Sequence, residues 1–295
     1  MNQKAVVYML ISSVSFAIVN TIVKFLEFPA FEKVFFRCLV SLVITFTLLG
    51  RKKIPFFGNN KKYLIIRGLS GSVALTMFFI VLERIPLASA VTLQYLSPIS
   101  TAFFGILILK EKVAWKQWLF FAISFSGIIV MKNFDPNMDF TSFIIGISSA
   151  ALSGIAYVSV RKVKDTDHPL VVVLYFPLVA TPLLLIGILL FQLVPSLKAI
   201  GIEVWRTPHG HEWFLLLLLG CITQIAQVTM TKALQSENVA QVTSIKYVGS
   251  IFALIIGYSV FDETYGTMAL IGIALVLLGV VFSIRFKSKK LLAKN

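Results

Sequence analysis

The chain has 295 residues, of which 58% are apolar and only 14% carry a charge. A soluble domain has about 45–50% apolar and about 25% charged residues, because much of its surface must face water. The composition therefore excludes a soluble enzyme and a disordered chain, and it is typical of a protein whose surface faces lipid. A transmembrane helix needs ~20 apolar residues, so the length suffices for about ten helices joined by short loops.

The net charge of +14 does not indicate nucleic-acid binding, because lysines and arginines cluster at the ends of the apolar segments. Cys38 and Cys221 both lie inside apolar segments, so they do not predict a disulfide framework. His209 and His211 have no cysteine or acidic cluster at ligand spacing. The sequence therefore predicts no metal site, no cofactor and no nucleic-acid partner.

Apolar segments follow one another along the whole chain, and polar residues separate them. In order they are Ala5–Val23, Phe31–Leu49, Tyr63–Leu82, Leu87–Leu109, Trp115–Met131, Phe143–Val160, Pro169–Leu193, Trp213–Ala233, Val239–Phe261 and Gly266–Ile284. This pattern predicts an all-α integral membrane protein with ten transmembrane helices. Pro98, Pro177 and Pro182 lie inside segments, where each removes a backbone hydrogen bond and favours a kink.

The distribution of positive charge predicts the orientation in the membrane. With ten helices and a cytoplasmic N-terminus, 19 lysines and arginines lie on the inner side and 6 on the outer side. The inner total includes Arg67, near the start of the third segment, whereas Arg37 and Lys246 lie within segments and are excluded. The positive-inside rule therefore places both termini in the cytoplasm, as expected for a multi-pass protein of the inner membrane.

The two halves of the sequence repeat each other. Residues 87–130, shifted by 152 positions, align without a gap on residues 239–282. The identities include Ala88 with Ala240, Tyr95 with Tyr247, Gly105 with Gly257, Glu111 with Glu263 and Gly127 with Gly279. Because each half contains five helices, an odd number, the second half enters from the opposite side and the repeat is inverted. The predicted repeats span 1–133 and 139–285, and a basic cytoplasmic tail spans 286–295.

Several segments resemble the EamA domain of the drug/metabolite transporter superfamily. They are Glu32–Arg37, Arg67–Gly71, Leu82–Ala90, Leu96–Pro98 and Leu109–Lys112. The resemblance covers nearly the whole chain as two repeats, and it implies a ten-helix bundle that carries small metabolites by alternating access. The second half departs from the pattern, since Pro177 stands where Arg37 would repeat and Gly249-Ser250 replace Ser97-Pro98.

Two charged residues lie deep inside predicted helices. Lys246 is ~10 Å into the ninth segment, and Arg37 is ~9 Å into the second. A charge at bilayer depth costs roughly 2.5–3.5 kcal/mol or more, so it normally faces the bundle interior, a partner or water. For Lys246 the alternative is snorkelling towards the membrane surface. For Arg37 the alternative is an ion pair with Glu32.

The repeat brings several polar residues to equivalent depths, near the level where transporters built from repeats bind substrate. We predict that the binding residues are Lys246, Tyr247, Gln94, Tyr95, Arg37 and Asn20. The acidic residues lie at segment ends or in loops, which favours a neutral, zwitterionic or anionic substrate over a cation.

The predicted function is secondary transport of a small metabolite, with export favoured. The alternative is a membrane-embedded enzyme or lipid-handling protein. The sequence contains neither an H-E-x-x-H nor a G-x-S-x-G motif, and it lacks paired carboxylates within its segments, so we expect no enzyme activity. The expected partners are the metabolite and membrane lipid, with the protein a monomer or a homodimer.

Overall fold

The structure is a computed structural model, and it describes residues 3–110, 115–134, 138–194, 205–235 and 248–292. Every regular element in these ranges is an α-helix. The helices are α1 (Gln3–Phe25), α2 (Ala30–Arg51), α3 (Lys61–Arg84), α4 (Leu87–Gln94), α5 (Ser97–Leu109), α6 (Trp115–Phe134), α7 (Phe140–Lys162), α8 (Pro169–Leu193), α9 (Glu212–Gln235), α10 (Val248–Phe261) and α11 (Thr267–Leu292).

Within the described ranges, seven helical segments are long and apolar enough to cross a membrane, and α4 with α5 counts as one of them. Shorter apolar helices lie at 118–131, 251–261 and 267–279. The chain is therefore an all-α, multi-pass membrane protein. The count of ten transmembrane helices stays a prediction, because residues 239–247 of the ninth segment lie outside the described residues.

The fourth predicted segment is broken in the middle. Gln94 ends α4 and Ser97 begins α5, and in the turn between them the N–H of Leu96 donates to the carbonyl of Leu93 at 3.1 Å. Pro98 explains the break, because it has no N–H with which to continue the helical hydrogen bonds. Pro177 and Pro182, in contrast, lie inside an unbroken α8.

The contacts between helices stay the same when each helix is replaced by its counterpart in the other half. Helix α3 packs against α7, and α1 packs against α9, which is the same pairing once α1 is matched with α7 and α3 with α9. In the same way, α2 packs on α9 and α3 on α8, whereas α2 also meets its own counterpart α8. This packing is the arrangement expected of a two-repeat fold.

Helices α6 and α11, the last helix of each half, pack with their backbones close together at glycine residues. A Cβ added to Gly127 would lie 2.7 Å from the carbonyl oxygen of Gly272. A Cβ added to Gly279 would lie 2.6 Å from the carbonyl oxygen of Phe120. A shift of 152 residues turns the first contact into the second, so the packing follows the register of the repeat.

The apolar core forms two clusters, one near each end of α1. One cluster includes Val23 of α1 and Leu82 of α3, near the C-terminal ends of these helices. The other includes Met9 of α1 and Leu64 of α3, near their N-terminal ends. Between the two clusters, polar side chains occur among the apolar ones, such as Arg37, Gln94 and Gln227.

Candidate functional site

A cavity of about 140 Å³ lies in the middle of the bundle. On α1 it is lined from Ser13 to Asn20, between Met9 of one apolar cluster and Val23 of the other. Its described lining comes from both halves of the chain, from α1 to α5 in the first and from α7 to α10 in the second. The two halves therefore meet around a shared internal space.

Most of the predicted binding residues line this cavity. Asn20, Arg37, Gln94 and Tyr95 all contribute to its surface. Lys246 and Tyr247 lie outside the described residues, and their place in the cavity stays a prediction.

The break in the fourth segment positions Gln94. Its side-chain amide donates to the hydroxyl of Ser153 at 2.8 Å, and its carbonyl oxygen accepts from the hydroxyl of Ser149 at 3.1 Å. Both serines are on α7, so these two hydrogen bonds join the fourth segment to the second half of the protein. Gln94 thus presents a fixed, neutral polar group to the cavity.

Arg37 is buried in the cavity wall, with 2% of its surface exposed. Its guanidinium carbon lies 5.4 Å from the ring centre of Phe79 and 6.0 Å from that of Phe16. Among the described residues it has neither a hydrogen-bond partner nor a carboxylate partner, and its buried Nε is unsatisfied. The ion pair with Glu32 is not formed, and Glu32 instead accepts the backbone N–H of Arg206 at 2.8 Å.

A second arginine, Arg67 of α3, lines the same cavity and is 4% exposed. Its Nη2 donates to the side-chain carbonyl of Gln227 at 3.3 Å, and its guanidinium lies 4.9 Å from the ring centre of Phe176. The Nε of Arg67 is buried without a hydrogen-bond partner. Gly71 makes room for the guanidinium, because a Cβ there would overlap its Nη1.

Counting Arg67 among the charges at the membrane surface was wrong. The residue lies ~9 Å into α3, and its side chain points into the bundle. When Arg67 is left out, the inner side has 18 positive charges and the outer side has 6, so the predicted orientation does not change. Two features of the sequence point to a buried Arg67. Its depth in the helix is similar to that of Arg37, and Gly71 follows it one helical turn later.

Near the C-terminus of α1, Glu263 joins the two halves, and we call this end of the bundle the Glu263 end. The Glu263 carboxylate forms an ion pair with Lys24 of α1 and accepts the backbone N–H of Leu87, the first residue of α4, at 2.8 Å. Lys24 also donates to the carbonyl of Ile85 at 3.0 Å. These contacts hold the α10–α11 turn of the second half against two helices of the first.

At the opposite end of the bundle, Asp167 joins the two halves, and we call this the Asp167 end. Its carboxylate accepts the backbone N–H groups of Asn59 at 2.6 Å and Asn60 at 3.3 Å, and its own carbonyl accepts from Gln235 at 3.3 Å. The α7–α8 loop of the second half is thereby joined to the α2–α3 loop of the first. Polar contacts therefore join the two halves at both the Glu263 end and the Asp167 end.

A helical membrane protein whose two halves line a shared central cavity has the architecture of a solute transporter. The sequence model of the EamA-like transporter family matches residues 3–132 and, a second time, residues 141–285. The chain belongs to this family. It is a multi-pass membrane transporter of the drug/metabolite superfamily and not an enzyme.

Three relatives match most of the chain. The pseudopaline exporter of Pseudomonas aeruginosa is 26% identical over 291 residues, which are 97% of each protein. The S-adenosylmethionine uptake transporter of Rickettsia prowazekii is 21% identical and covers 98% of this chain and 95% of that protein. Solute carrier family 35 member G1 of Homo sapiens is 26% identical and covers 87% of this chain and 72% of that protein.

A solved crystal structure has the same fold. It superposes with a TM-score of 0.66 and covers 99% of each chain at 16% sequence identity. Its similarity supports the fold and carries no information on the substrate.

Proposed function

We propose that the protein is a secondary transporter that moves a small metabolite across the inner membrane by alternating access, with the central cavity as its substrate site. The observation that carries this proposal is a cavity lined by both halves, with separate polar contacts between the halves near opposite ends of the helices that line it. Each set consists of a few polar contacts at a loop or turn. Rocking of one half against the other opens one end while the other stays closed.

We propose export as the direction of transport and a cytoplasmic location for both termini. The exporter from Pseudomonas aeruginosa is more similar to this chain than the uptake transporter from Rickettsia prowazekii, which supports export. The excess of positive charge on the predicted inner side supports the orientation.

The test is a release assay with purified protein in liposomes that are loaded with a filtered cell extract. Mass spectrometry of the external solution shows which compounds leave. We expect a specific set of metabolites to escape from liposomes with the protein and to stay inside protein-free liposomes. The same compound must appear outside unchanged, because a chemically altered product would indicate the enzyme alternative.

Two matched variants test the role of the cavity. Ala17 lines the cavity, so Ala17→Trp fills it and we expect it to stop release. A Cβ at Gly187 of α8 meets nothing within 4 Å, so Gly187→Trp adds the same bulk at an open site and should keep transport. Equal transport by the two variants would contradict the assignment of the cavity as the substrate path.

A further inference from the structure

The inference deepens the proposed function and rests on it, because it assigns the chemical class of the substrate in the same cavity. We propose that the cavity binds a compact organic acid, with a carboxylate group held by Arg37 and Arg67. Four observations carry this assignment: the burial of both arginines, their missing partners, the engagement of the acidic residues elsewhere, and the apolar remainder of the cavity wall.

The two guanidinium groups are buried, and their hydrogen bonds to other described residues do not offset the cost of burying their charge. A guanidinium has five N–H donors. Arg37 uses none of them on another described residue, and Arg67 uses one in a 3.3 Å bond to the neutral amide of Gln227. A buried charge is normally paired, because loss of water around an unpaired ion costs several kcal/mol. The structure therefore leaves two positive charges, with donors to spare, on one cavity.

The described acidic residues do not supply the missing negative charge. Glu263 is paired with Lys24 and Glu83 with Lys33, whose Nζ lies 2.7 Å from the carboxylate. Asp167 accepts hydrogen bonds from backbone N–H groups at the Asp167 end. Because none of the described lining residues is acidic, we infer that the counter-charge arrives with the ligand.

The arginines suit a carboxylate in particular. The planar guanidinium presents its N–H groups as a fork that matches the two oxygens of a carboxylate, and such bonds are roughly twice as strong as neutral ones. The aromatic rings on which both guanidiniums lie fix these forks in place. The arginines are on neighbouring helices of the first half, and the second half has Pro177 where Arg37 would repeat. The anion is therefore held on one side of the cavity.

The rest of the cavity argues for an organic ligand rather than an inorganic anion. Phe16, Leu75, Phe78 and Val91 present apolar surface to the same space. The volume of about 140 Å³ is close to that of an engineered cavity that takes benzene, so the ligand is compact. Gln94 offers a neutral hydrogen-bonding group for a second polar substituent.

The experiment measures ligand-induced stabilisation of the purified full-length protein. The probes are benzoate, succinate and glutamate, each paired with its uncharged or less charged amide: benzamide, succinamide and glutamine. Sodium chloride and inorganic phosphate at the same ionic strength are the inorganic comparisons. At about 10 mM ligand we expect at least one carboxylate to raise Tm by about 5 °C in a saturable way, and its amide to give no shift.

Variants test whether the rise in Tm depends on Arg37 and Arg67. Arg37→Gln and Arg67→Gln should each abolish the shift, whereas Arg37→Lys and Arg67→Lys should keep part of it because charge survives without the fork. The matched controls are Arg51→Gln and Arg84→Gln, which remove exposed arginines from the ends of the same two helices and should behave as wild type. Without ligand, Arg37→Gln should keep or raise Tm, since it removes an unpaired buried charge. A structural role for Arg37 would lower it.

The outcomes separate the substrate class from transport itself. A shift with the amide as large as with the carboxylate, a shift that survives both glutamine variants, a shift with phosphate alone or no shift with any probe would each overturn the inference. Release of a neutral metabolite from liposomes, without any carboxylate effect, would keep the proposed function and reject the carboxylate. Carboxylate binding at the two arginines without any release would keep the site and reject transport.

Discussion

The hydroxyl of Ser124 on α6 donates a hydrogen bond to the backbone carbonyl of Val276 on α11 at 3.2 Å, and these residues are 152 positions apart. That separation is the register of the internal repeat, so the two residues occupy equivalent places in the two halves. Equivalent residues touch each other only where the symmetry axis between the halves passes close by. The α6–α11 contact therefore marks the line about which the two halves are related.

The close packing at this line makes its glycines sensitive to substitution. Gly127→Ala should lower Tm by several degrees, because the new Cβ meets backbone atoms of α11 at 2.7–2.8 Å and backbone cannot move aside cheaply. The measurement is thermal unfolding in detergent. Gly187→Ala is the control, since its Cβ enters open space and alanine favours the helix by about 0.5–1 kcal/mol. Equal Tm values for the two variants would contradict the packing.

The predicted orientation is tested with two exposed loop residues. We expect His209→Cys to react with a membrane-impermeant maleimide from outside the cell and Lys164→Cys to react only after the membrane is opened. The reason is that ten crossings from a cytoplasmic N-terminus place these two loops on opposite sides. The wild type is the control, because Cys38 is buried and Cys221 is partly buried. Labelling of both cysteines from one side would reject the ten-helix topology.

The contacts at the Glu263 end and at the Asp167 end should control access to the cavity from opposite sides of the membrane. With a reporter cysteine at Ala17 in the cavity, Glu263→Gln should raise labelling from outside, because the ion pair with Lys24 is lost. Asp167→Asn should raise labelling from the cytoplasmic side, since it weakens the bonds from Asn59 and Asn60.

Controls for this labelling come from the same parts of the chain. Asp165→Asn changes an exposed carboxylate two residues from Asp167 and should leave labelling unchanged. The parent protein with only its native cysteines gives the background. If both end variants raised labelling from the same side, the two ends would not act as separate closures.

Stability should depend on pH through His168, the N-cap residue of α8. Its Nδ1 accepts the N–H of Leu170 at 3.2 Å, and burial, together with the charges of Lys52 and Lys232, lowers the pKa of His168 below its usual 6.5. The unfolded chain therefore binds the proton more readily. Stability is complete above about pH 6.5, falls as the pH drops below it and levels off below the folded-state pKa.

A neutral cap should remove this dependence. His168→Asn keeps a side-chain acceptor for the first turn of α8 and cannot titrate, so the decrease in Tm between about pH 7 and pH 5 should become smaller. The exposed His211 serves as the control, and His211→Asn should keep the wild-type profile. An unchanged profile in His168→Asn would show that the pH dependence arises elsewhere.

Much of the fold follows from the sequence, because long apolar runs bounded by charges leave little choice but membrane-spanning helices. The helix ends of α1 and α3 lie within two residues of the predicted segments. Pro98 predicts a distortion, but the separation of α4 from α5 is visible only in the structure. Pro177 has the same local chemistry and lies in an unbroken helix, so the sequence alone does not distinguish the two outcomes.

The candidate site was partly predictable. The depth of Arg37 inside its segment predicts a cavity residue, whereas Arg67 near the start of α3 has the pattern of a charge at the membrane surface. Its position depends on Gln227, 160 residues further along the chain, and on the ring of Phe176. Contacts between distant segments of this kind leave no local pattern in the sequence.

The pairing of α6 with α11 also has a consequence for how the chain is made. About 130 residues separate the end of α6 from the start of α11. At a synthesis rate of about 5–20 residues per second, α6 waits about 7–25 seconds in the membrane before its partner emerges. During that interval the glycine face of α6 around Gly127 is open to other helices. The packing of the first half is therefore completed only when α11 has been synthesised.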